Sequence, residues 1–521
     1  MKTDIEIAQS AKMKLIVDIA KKAGIDFSDI ELHGCYKAKI SLEALNRNYK
    51  RKAGKLILVT TTTPTPQGEG KTTITIGLTQ ALQKIGKKAI ACIREPSLGP
   101  VMGVKGGAAG GGYSQVLPME DINLHLTGDM HIITSAHNLL SAMLYNHIYH
   151  GNELDIDENR IVWKRTMDMN DRALRGMFDI TASSEVMAIM CLSKTLTDMK
   201  ERLSRIIVAY NKKGEPIRAF DLKAQGAMAL LMYDSLKPNL VQTLEGGPAF
   251  VHGGPFANIA HGCNSIVSTQ LALNLSDYVV TEAGFATDLG AEKFFDIKCR
   301  VGNFTPSAVV LVVTKQAFDI NGIENIEKHV ENIKLFGVPL VIAINKKSKD
   351  TLEEIKKLGD RCLELGVPVV VSDVWAKGGQ GGIDMAKEVI NAVGQRSNFK
   401  FLYDQQDPIK QKIEKIATKI YGADGVDFTE IALENIEQLN KIGMAETPIC
   451  IAKTQSSLSD NPKLSGRPKG FRITVRELKP SAGAGFIVAF TGNIMTMPGL
   501  PRHPAAENMD ITEDGKITGL F

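Results

Sequence analysis

Residues 56–73 read LILVTTTTPTPQGEGKTT, and this stretch decides the fold. The apolar run from Leu56 to Val59 is continuous rather than alternating, which is typical of a parallel strand buried on both faces. A turn containing glycines follows, and the apolar residues of 72–84 then recur on one face of a predicted helix. A second short strand is predicted at 89–93. The order strand, loop, helix, strand predicts an α/β domain.

The same alternation of strands and helices returns further along the chain. Apolar runs predict strands at 278–280, 308–313, 340–344 and 369–371. Between the last three of these strands, periodic apolar residues predict helices at about 325–336 and 352–365. We therefore expect an α/β fold of the P-loop type, with a doubly wound, mainly parallel sheet and additional smaller α/β and α+β domains.

A chain of 521 residues is too long for one ordinary domain, and we expect three. Residues 1–300 are predicted to form a P-loop nucleotide-binding α/β domain, with a mostly helical insertion at about 151–240. Residues 301–394 are predicted to form a second α/β domain. Residues 395–521 are predicted to form a smaller C-terminal α+β domain, with helices at about 408–420 and 429–441 and strands at about 471–475 and 485–490.

The composition excludes several classes of protein. The net charge is only +4, from 62 basic and 58 acidic residues, so neither nucleic acid nor an anionic membrane is expected as a partner. Seven scattered cysteines without a CxxC pair indicate neither a disulfide framework nor a thiolate zinc site. The first residues, MKTDIEIAQSAKMK, lack the apolar core of a secretory signal. The cytoplasm is the expected compartment.

The loop of residues 65–73 has the chemistry of a phosphate-binding loop. Glycines let backbone N–H groups turn toward a phosphate, and the following helix N-terminus adds partial positive charge. Lys71 can reach the β- and γ-phosphates of ATP, and the hydroxyl of Thr72 can ligate Mg²⁺. Thr65 stands where the strict motif has its first glycine, so a tight turn without a ligand is the alternative. The predicted ATP-binding residues are Thr65, Pro66, Gln67, Gly68, Glu69, Gly70, Lys71, Thr72 and Thr73.

Two further features follow the second predicted strand. Arg94 lies directly after it, at the sheet edge where ligands of open α/β sheets bind. A guanidinium group at that place suits a carboxylate or an acyl phosphate, although a surface ion pair with Glu95 is the alternative. Residues 103–113 read GVKGGAAGGGY, and so many glycines indicate a mobile loop or one whose backbone approaches a ligand closely. Lys105 adds a cation to this loop.

The histidines do not form a metal-binding motif. His125, His131 and His137 recur at intervals of six residues, which fits neither a helix nor a strand, so unrelated structural roles are the default interpretation. His252 and His261 lie in a loop of small residues, where a histidine could orient or deprotonate an amine.

An acidic residue ends the predicted strand at 278–280. Glu282 follows this strand closely and Asp288 comes six residues later. Nucleotide enzymes often place a carboxylate that organises Mg²⁺ at such a strand end, but a solvated acid at the end of a strand is equally compatible with the pattern.

Together these motifs resemble one family, the formate–tetrahydrofolate ligases. GVKGGAAGGGY matches the glycine signature of that family, and the similarity extends over nearly the whole chain. Other segments that resemble the family are TPQGEGKTT, REPSLGPVMGVKGG, WKRTMDMNDRALR, GGPAFVHGGPFANIAHGCNS, TEAGFATDLGAEKFFDIKCR, WAKGGQGG and AGAGFIVAFTGNIMTMPGLPRHPAAENMDI.

The resemblance implies an ATP-dependent ligase of one-carbon metabolism. Formate attacks the γ-phosphate of MgATP to give formyl phosphate and ADP. N10 of tetrahydrofolate then attacks the formyl carbon and releases phosphate, giving 10-formyltetrahydrofolate. The resemblance also implies a homotetramer activated by a monovalent cation, K⁺ or NH₄⁺.

Site residues follow from the same resemblance. Lys71 and Thr72 would hold ATP, and Arg94 would bind formate and formyl phosphate. Trp375, in WAKGGQGG, would stack on the pterin ring on the folate side, in residues 301–394. Three histidines would position substrate or handle protons, namely His125, His131 and His261. Val371 and Lys347 would be further folate contacts.

Two departures from the family pattern concern the folate side. Lys315 stands where the family has an arginine, and the segment after it is shortened. The family has a basic residue and then Phe-Pro after the strand that ends at Asn345, and this chain has Lys346, Lys347 and Ser348 there. A second aromatic partner for Trp375 is then missing, and the lysines could instead meet the acids of a polyglutamylated folate.

Two alternatives remain from the sequence. A deviant P-loop switch or scaffold ATPase would use the phosphate loop with a protein partner, and would hydrolyse ATP without regard to formate. A degenerate family member would keep formate activation but would lack transfer to folate.

Overall fold

The computed structural model describes residues 2–47, 53–104, 109–492 and 494–520. The first part of the chain carries the predicted strand, loop, helix and strand, and so confirms that prediction. Its elements are α1 (Asp4–Gln9), α2 (Ile16–Ala23), β1 (Ile30–Leu32), β2 (Ala38–Ile40), α3 (Glu43–Asn46), β3 (Lys55–Thr61), α4 (Lys71–Lys84), β4 (Ala89–Ile93), α5 (Leu98–Gly103), β5 (Gly110–Gly111), β6 (Ser114–Leu117), α6 (Met119–Asn123) and α7 (Asp129–Tyr149).

The segment that was predicted to be mostly helical also contains two small sheets. Its elements are β7 (Ile156–Ile161), β8 (Arg165–Met167), β9 (Phe178–Ile180), α8 (Glu185–Leu192), α9 (Leu196–Arg205), β10 (Ile207–Asn211), β11 (Pro216–Arg218) and α10 (Gln225–Leu231). β10 pairs with β11 and β7, and β8 pairs with β9. The prediction missed these strands because most are only three residues long, too short to show a period.

The next part of the chain confirms the predicted alternation of strands and helices. Its elements are β12 (Asn239–Thr243), β13 (Pro248–Val251), α11 (Ile266–Leu275), β14 (Tyr278–Glu282), α12 (Arg300–Gly302), β15 (Pro306–Val313), α13 (Lys315–Leu335), β16 (Leu340–Asn345), α14 (Leu352–Leu363), β17 (Val369–Ser372), α15 (Val374–Lys377) and α16 (Ile383–Gly394). α13 is broken at Gly322, where φ is 77° and ψ is 175°.

The C-terminal part contains both helices and strands, as predicted. Its elements are α17 (Ile409–Lys415), β18 (Val426–Phe428), α18 (Glu430–Lys441), β19 (Ile449–Ala452), β20 (Ile473–Val475), β21 (Glu477–Ser481), β22 (Phe486–Phe490), β23 (Asp510–Ile511) and β24 (Ile517–Thr518). These strands form small separate sheets. No helix in the described residues combines the length and the apolarity needed to cross a bilayer.

A large mixed sheet forms the centre of the molecule, with the path β1-β2-β12-β13-β4-β14-β3-β15-β16-β17. The seven strands from β13 to β17 along this path are parallel, and the strands beyond β13 pair antiparallel. The fold is therefore mixed α/β with a mainly parallel central sheet. β14, β3 and β15 are direct neighbours, so the sheet runs unbroken across residue 300. The division into residues 1–300, 301–394 and 395–521 stays a prediction.

Apolar side chains cover both faces of the parallel strands. One face packs α4 and α16 against β3, β15 and β16, and the other packs α11, α13 and α14 against the same sheet. α4 is buried along ten consecutive residues, because the chain from α15 to α16 covers its outer side. Gly77 of α4 must be glycine, because a Cβ atom there would lie 2.4 Å from Cβ of Val374. Because the strands from β13 to β17 along the path run parallel, their carboxyl ends share one edge of the sheet.

Candidate active site

The residues with candidate roles follow the carboxyl ends of parallel strands. The phosphate loop follows β3, Arg94 follows β4, and Glu282 is the last residue of β14. Lys347 and Trp375 follow β16 and β17. Since parallel strands end at one edge, five segments that are distant in the sequence meet there.

The phosphate loop is held in shape by the protein itself. The backbone N–H of Thr65 donates to Oε1 of Glu69 at 2.7 Å, and the other carboxylate oxygen of Glu69 accepts from the hydroxyl of Thr314. Nδ2 of Asn345 donates to the carbonyl of Glu69 at 2.9 Å. Gly70 has φ of 74°, and a Cβ atom there would lie 2.5 Å from Nδ2 of Asn345. Both the backbone conformation and the lack of space therefore require glycine at this position. Thr65 is not among the residues with positive φ, which explains why a threonine replaces the first glycine of the motif.

A cavity of about 320 Å³, which we call the Arg94 cavity, lies on one side of this loop. The hydroxyl of Thr72 donates to Oε2 of Glu282 at 2.8 Å, and Oε1 of Glu282 lies 3.8 Å from Nε of Arg94. Arg94 also donates weakly to the carbonyl of Pro255 at 3.4 Å, while its buried Nε has no hydrogen-bond partner among the described residues. A cationic group with spare donors therefore faces the phosphate loop beside a buried carboxylate.

A further acidic residue, Glu95, lines the Arg94 cavity, and another, Asp168, is bonded to a residue of its lining. Glu95 and Ser97 line the Arg94 cavity, and the Ser97 hydroxyl donates to Asp168 at 2.5 Å. Burial raises the pKa of the Asp168 carboxyl, against hydrogen bonds from Ser97 and Leu98 that lower it. Burial, together with the charges of Asp129 and Asp168, raises the pKa of Glu95 well above its ordinary value. Burial thus disfavours the charged form of both carboxyl groups on this side of the cavity.

The candidate histidines fall into two different environments. His125 and His131 are exposed, their rings are joined by a 2.8 Å hydrogen bond, and their charges act on Asp168. His261 is fully buried, does not line the Arg94 cavity, and has no partner for either ring nitrogen among the described residues. Burial and the nearby cations Lys298 and Lys293 lower the pKa of His261 to about 3, so its ring is neutral. Within the described ranges no three His, Cys, Asp or Glu residues are grouped to hold a metal.

The other two histidines of the analysis have structural roles. His137 stacks on Trp163 with ring centroids 4.1 Å apart and bonds to the Ser184 hydroxyl. His252 bonds to the hydroxyl of Ser265 and to the carbonyl of Ser235. The default interpretation of His137 as a satisfied structural residue is confirmed.

The end of the glycine-rich segment packs on Trp375. A Cβ atom on Gly112, where φ is 57°, would lie 2.1 Å from the carbonyl oxygen of Trp375. The backbone N–H of Tyr113 donates to that carbonyl at 2.8 Å, and the N–H of Gly112 donates to Asp4 at 2.8 Å. The side chain of Trp375 also bonds to Asp4. These glycines thus bring two backbone segments close together; the predicted role of Lys105 lies outside the described residues.

A second cavity, of about 310 Å³, lies on the other side of the phosphate loop, and we call it the Trp375 cavity. Its lining includes Trp375, Lys346 and Lys347, and it shares Gly68, Gly70 and Thr73 with the Arg94 cavity. Nζ of Lys347 donates to the carbonyl of Gly68 and to Oε1 of Gln316, both at 3.3 Å. Val371 does not line this cavity and is 46% exposed.

Lys315, the other departure from the family pattern, begins α13. Its ammonium group pairs with Asp319 at 2.6 Å and with Glu354 at 3.3 Å. It lines neither cavity.

The family model for formate–tetrahydrofolate ligase matches residues 2–521. The chain belongs to this family. Its members are ligases that form a C–N bond in ATP-dependent joining of formate to tetrahydrofolate, and their substrates are small molecules. Membership of the family favours the ligase over a switch or scaffold ATPase.

Proposed function

We propose that this chain makes 10-formyltetrahydrofolate through formyl phosphate, releasing ADP and phosphate. One observation carries the proposal: Arg94, Thr72 and Glu282 converge with the phosphate loop on a single cavity. The doubly wound P-loop arrangement is part of the proposal. Helices on both faces of the parallel strands support it.

ATP would bind with its phosphates on residues 65–73. The backbone N–H groups of the loop and the N-terminus of α4 attract phosphate oxygens, and Lys71 would neutralise the β- and γ-phosphates. The bonds from Thr65 and Asn345 to Glu69 fix the loop before ATP arrives, so little ordering is left for binding.

The residues present fit a magnesium ion. Mg²⁺ prefers oxygen ligands, and the Thr72 hydroxyl and the buried Glu282 carboxylate are 2.8 Å apart at the loop. Thr72 would hold the ion, with Glu282 close behind it. When bound, Mg²⁺ would neutralise charge on the β- and γ-phosphate oxygens.

Arg94 would bind formate and then formyl phosphate. Its fork of donors suits a carboxylate, and the one hydrogen bond that its terminal nitrogens make to a described residue is the weak bond to Pro255. In the first step a formate oxygen attacks the γ-phosphorus and the bond to ADP breaks. Lys71 and Arg94 together would stabilise the charge that develops on the transferred phosphate oxygens.

Transfer to folate would follow at the same edge of the sheet. Trp375 offers an aromatic face to the pterin ring. N10 attacks the formyl carbon, phosphate leaves, and N10 loses a proton. His125 and His131, whose positive charge would lower the pKa of Asp168, are the candidates to take it. His261 is buried and lines neither cavity, so its predicted part in substrate positioning or proton handling stays a prediction.

Several expectations from the family resemblance stay predictions. They are a homotetramer, activation by K⁺ or NH₄⁺, a cytoplasmic location, and the folate contacts of Lys347 and Val371.

The proposal is tested with purified protein, MgATP, formate and tetrahydrofolate in a potassium buffer. The folate product is followed by absorbance after acid treatment, and ADP release is followed separately. Product that depends on all three substrates supports the proposal. ATP turnover that ignores formate would overturn it.

The two readouts, ADP release and folate product, separate formate activation from transfer to folate. Formate-driven ADP release without a folate product would indicate the degenerate family member, in which only activation survives. The replacement of the family's Phe-Pro by Lys347 and Ser348, which line the cavity with Trp375, is the feature that favours this second candidate.

A further inference from the structure

The Trp375 cavity has an unusual lining for a site that takes an aromatic ring. Its volume of about 310 Å³ is at the lower limit for ligand pockets, so it has room for one bicyclic ring. Trp375 forms an aromatic wall. Lys346 and Lys347 supply cationic groups, and Asn345 supplies a polar one. None of the described residues that line it carries a carboxylate.

Lys347 is held at its backbone and at its ammonium group. Its backbone N–H donates to Oδ2 of Asp350 at 2.7 Å, and the N–H of Asp350 returns a bond to the carbonyl of Lys347. Its ammonium group is held by Gly68 and Gln316. An ammonium group has three donors and no acceptor. Two donors are used inside the protein, so one is left at the edge of the cavity.

Lys346 is a neighbour without such anchoring. It lines the same cavity, but its ammonium group makes no hydrogen bond or ion pair with any described residue. The two lysines bring similar charge to the cavity, and only Lys347 has a defined position.

The aromatic wall is as rigid as Lys347. Tyr113 bonds to the backbone of Trp375, Asp4 bonds to its side chain, and Gly112 packs against it without a Cβ atom. A flat ring bound on the indole therefore meets a donor at a fixed place on its edge. Preorganised polar groups of this kind discriminate between ligands more than mobile ones do.

We infer that Lys347 is a specificity-determining residue that reads an acceptor on the edge of the pterin, its 4-oxo group. The inference rests on the proposed function only in that the bound ring is taken to be that of the folate. A 4-amino pterin presents N–H donors at the same place and would face the ammonium group unfavourably. The cavity would thus select the 4-oxo over the 4-amino ring.

The test compares tetrahydrofolate with its 4-amino-4-deoxy analogue by calorimetric titration of the full-length protein. We expect the wild type to prefer the 4-oxo ligand about 10- to 100-fold, the range of one hydrogen bond to a charged group. Lys347→Met should lose that preference, through weaker binding of the 4-oxo ligand. Lys346→Met is the matched control, and it should weaken both ligands by a similar factor and keep their ratio.

Inorganic tripolyphosphate, which has no ring, separates this role from support of the phosphate loop. We expect Lys347→Met to bind it within about twofold of wild type, since the loop keeps its other bonds. Equal weakening of tripolyphosphate and both folates would overturn the inference, because Lys347 would then only hold the loop. An unchanged 4-oxo preference in Lys347→Met would overturn it too.

Failure of the proposed function has a different signature. A wild-type protein that discriminates between the two rings but forms no 10-formyltetrahydrofolate would retain the inference and reject the proposed reaction. If the wild type forms product and Lys347→Met has the same ring preference as wild type, the proposed reaction is retained and the inference is rejected. A wild type that binds neither ring rejects the inference outright.

Discussion

The two cavities beside the phosphate loop differ in how charge is arranged. Buried acids, among them Glu95 and Glu282, line the Arg94 cavity together with Arg94 and Lys71. The Trp375 cavity carries lysines and no carboxylate in its described lining. The first is a compensated site of the kind that stabilises developing charge, and the second is an open cationic site of the kind that selects a ligand. Chemistry and choice of substrate are thus expected to be separable by mutation.

The largest effect is expected at the Arg94 cavity. Lys71→Ala and Arg94→Ala should each lower kcat for product formation about a thousandfold or more, since each removes a cation from the transferred phosphate. Lys87→Ala, an exposed lysine just beyond the same helix, is the matched control and should retain activity. Loss of only a few-fold in Arg94→Ala would mean that the two cavities do not divide the work as described.

Glu282→Gln should lower the rate about a hundredfold and raise the Mg²⁺ concentration that gives half the maximal rate. The amide keeps the size of the side chain but cannot offer the charge beside Thr72. The measurement is the initial rate against free Mg²⁺. A variant whose Mg²⁺ dependence matches wild type would remove Glu282 from the metal site.

Gly112→Ala should act on the other cavity. Its Cβ atom would strike Trp375, so we expect the KM for tetrahydrofolate to rise about tenfold while formate-driven ADP release persists. Gly86→Ala is the control, because Gly86 also has positive φ but nothing lies within 4 Å of its Cβ position. Gly86→Ala should lose about 1–2 kcal/mol from left-handed backbone strain, measured by urea unfolding, and Gly112→Ala should lose more because of the clash. Equal KM values in the two variants would disconnect Gly112 from the ring site.

The prediction with the smallest expected influence on the reaction is a graded dependence of stability on pH. His252 and His261 lie in the loop whose Gly254 lines the Arg94 cavity, and burial lowers their pKa values to about 4 and about 3. The unfolded chain therefore binds more protons than the native protein below about pH 6.5, and stability is lost as the pH falls through this range.

Each of these two histidines should contribute a slope of about 1.4 kcal/mol per pH unit between roughly pH 6 and 4. The check is the free energy of unfolding in urea at several pH values. His252→Gln should reduce the slope by the contribution of one histidine, about 1.4 kcal/mol per pH unit. His150→Ala, at an exposed position, should leave the slope unchanged. A slope that does not change in His252→Gln would mean that this ring is already protonated in the native protein.

The sequence was most informative where one local pattern carried the information. Continuous apolar runs predicted β3, β4, β15 and β16, because parallel strands are buried on both faces. Glycine spacing predicted the loop, and strand ends predicted Arg94. The strands of the 151–240 segment were missed because short strands show no period.

Contacts between distant segments could not be predicted. Asp168 bonds to Ser97 across 71 residues of sequence, and no local pattern marks either as a pair. The same holds for Asp4, which supports Gly112 and Trp375 from the first helix. The glycine signature was interpreted as mobile or ligand-binding, yet its described end is explained by packing against Trp375. The sequence also could not predict on which side of the phosphate loop Lys347 lies, because that depends on tertiary structure.

The phosphate loop is a common wall, because Gly68, Gly70 and Thr73 line both cavities. A ligand that shifts this wall from one side alters the space offered on the other. By thermodynamic linkage the influence is equal in both directions, so whatever factor a bound ring imposes on phosphate affinity, bound phosphate imposes on the ring. Lys347, which joins this wall to the strand end beside Trp375, is one of the bonds through which such reciprocity would pass.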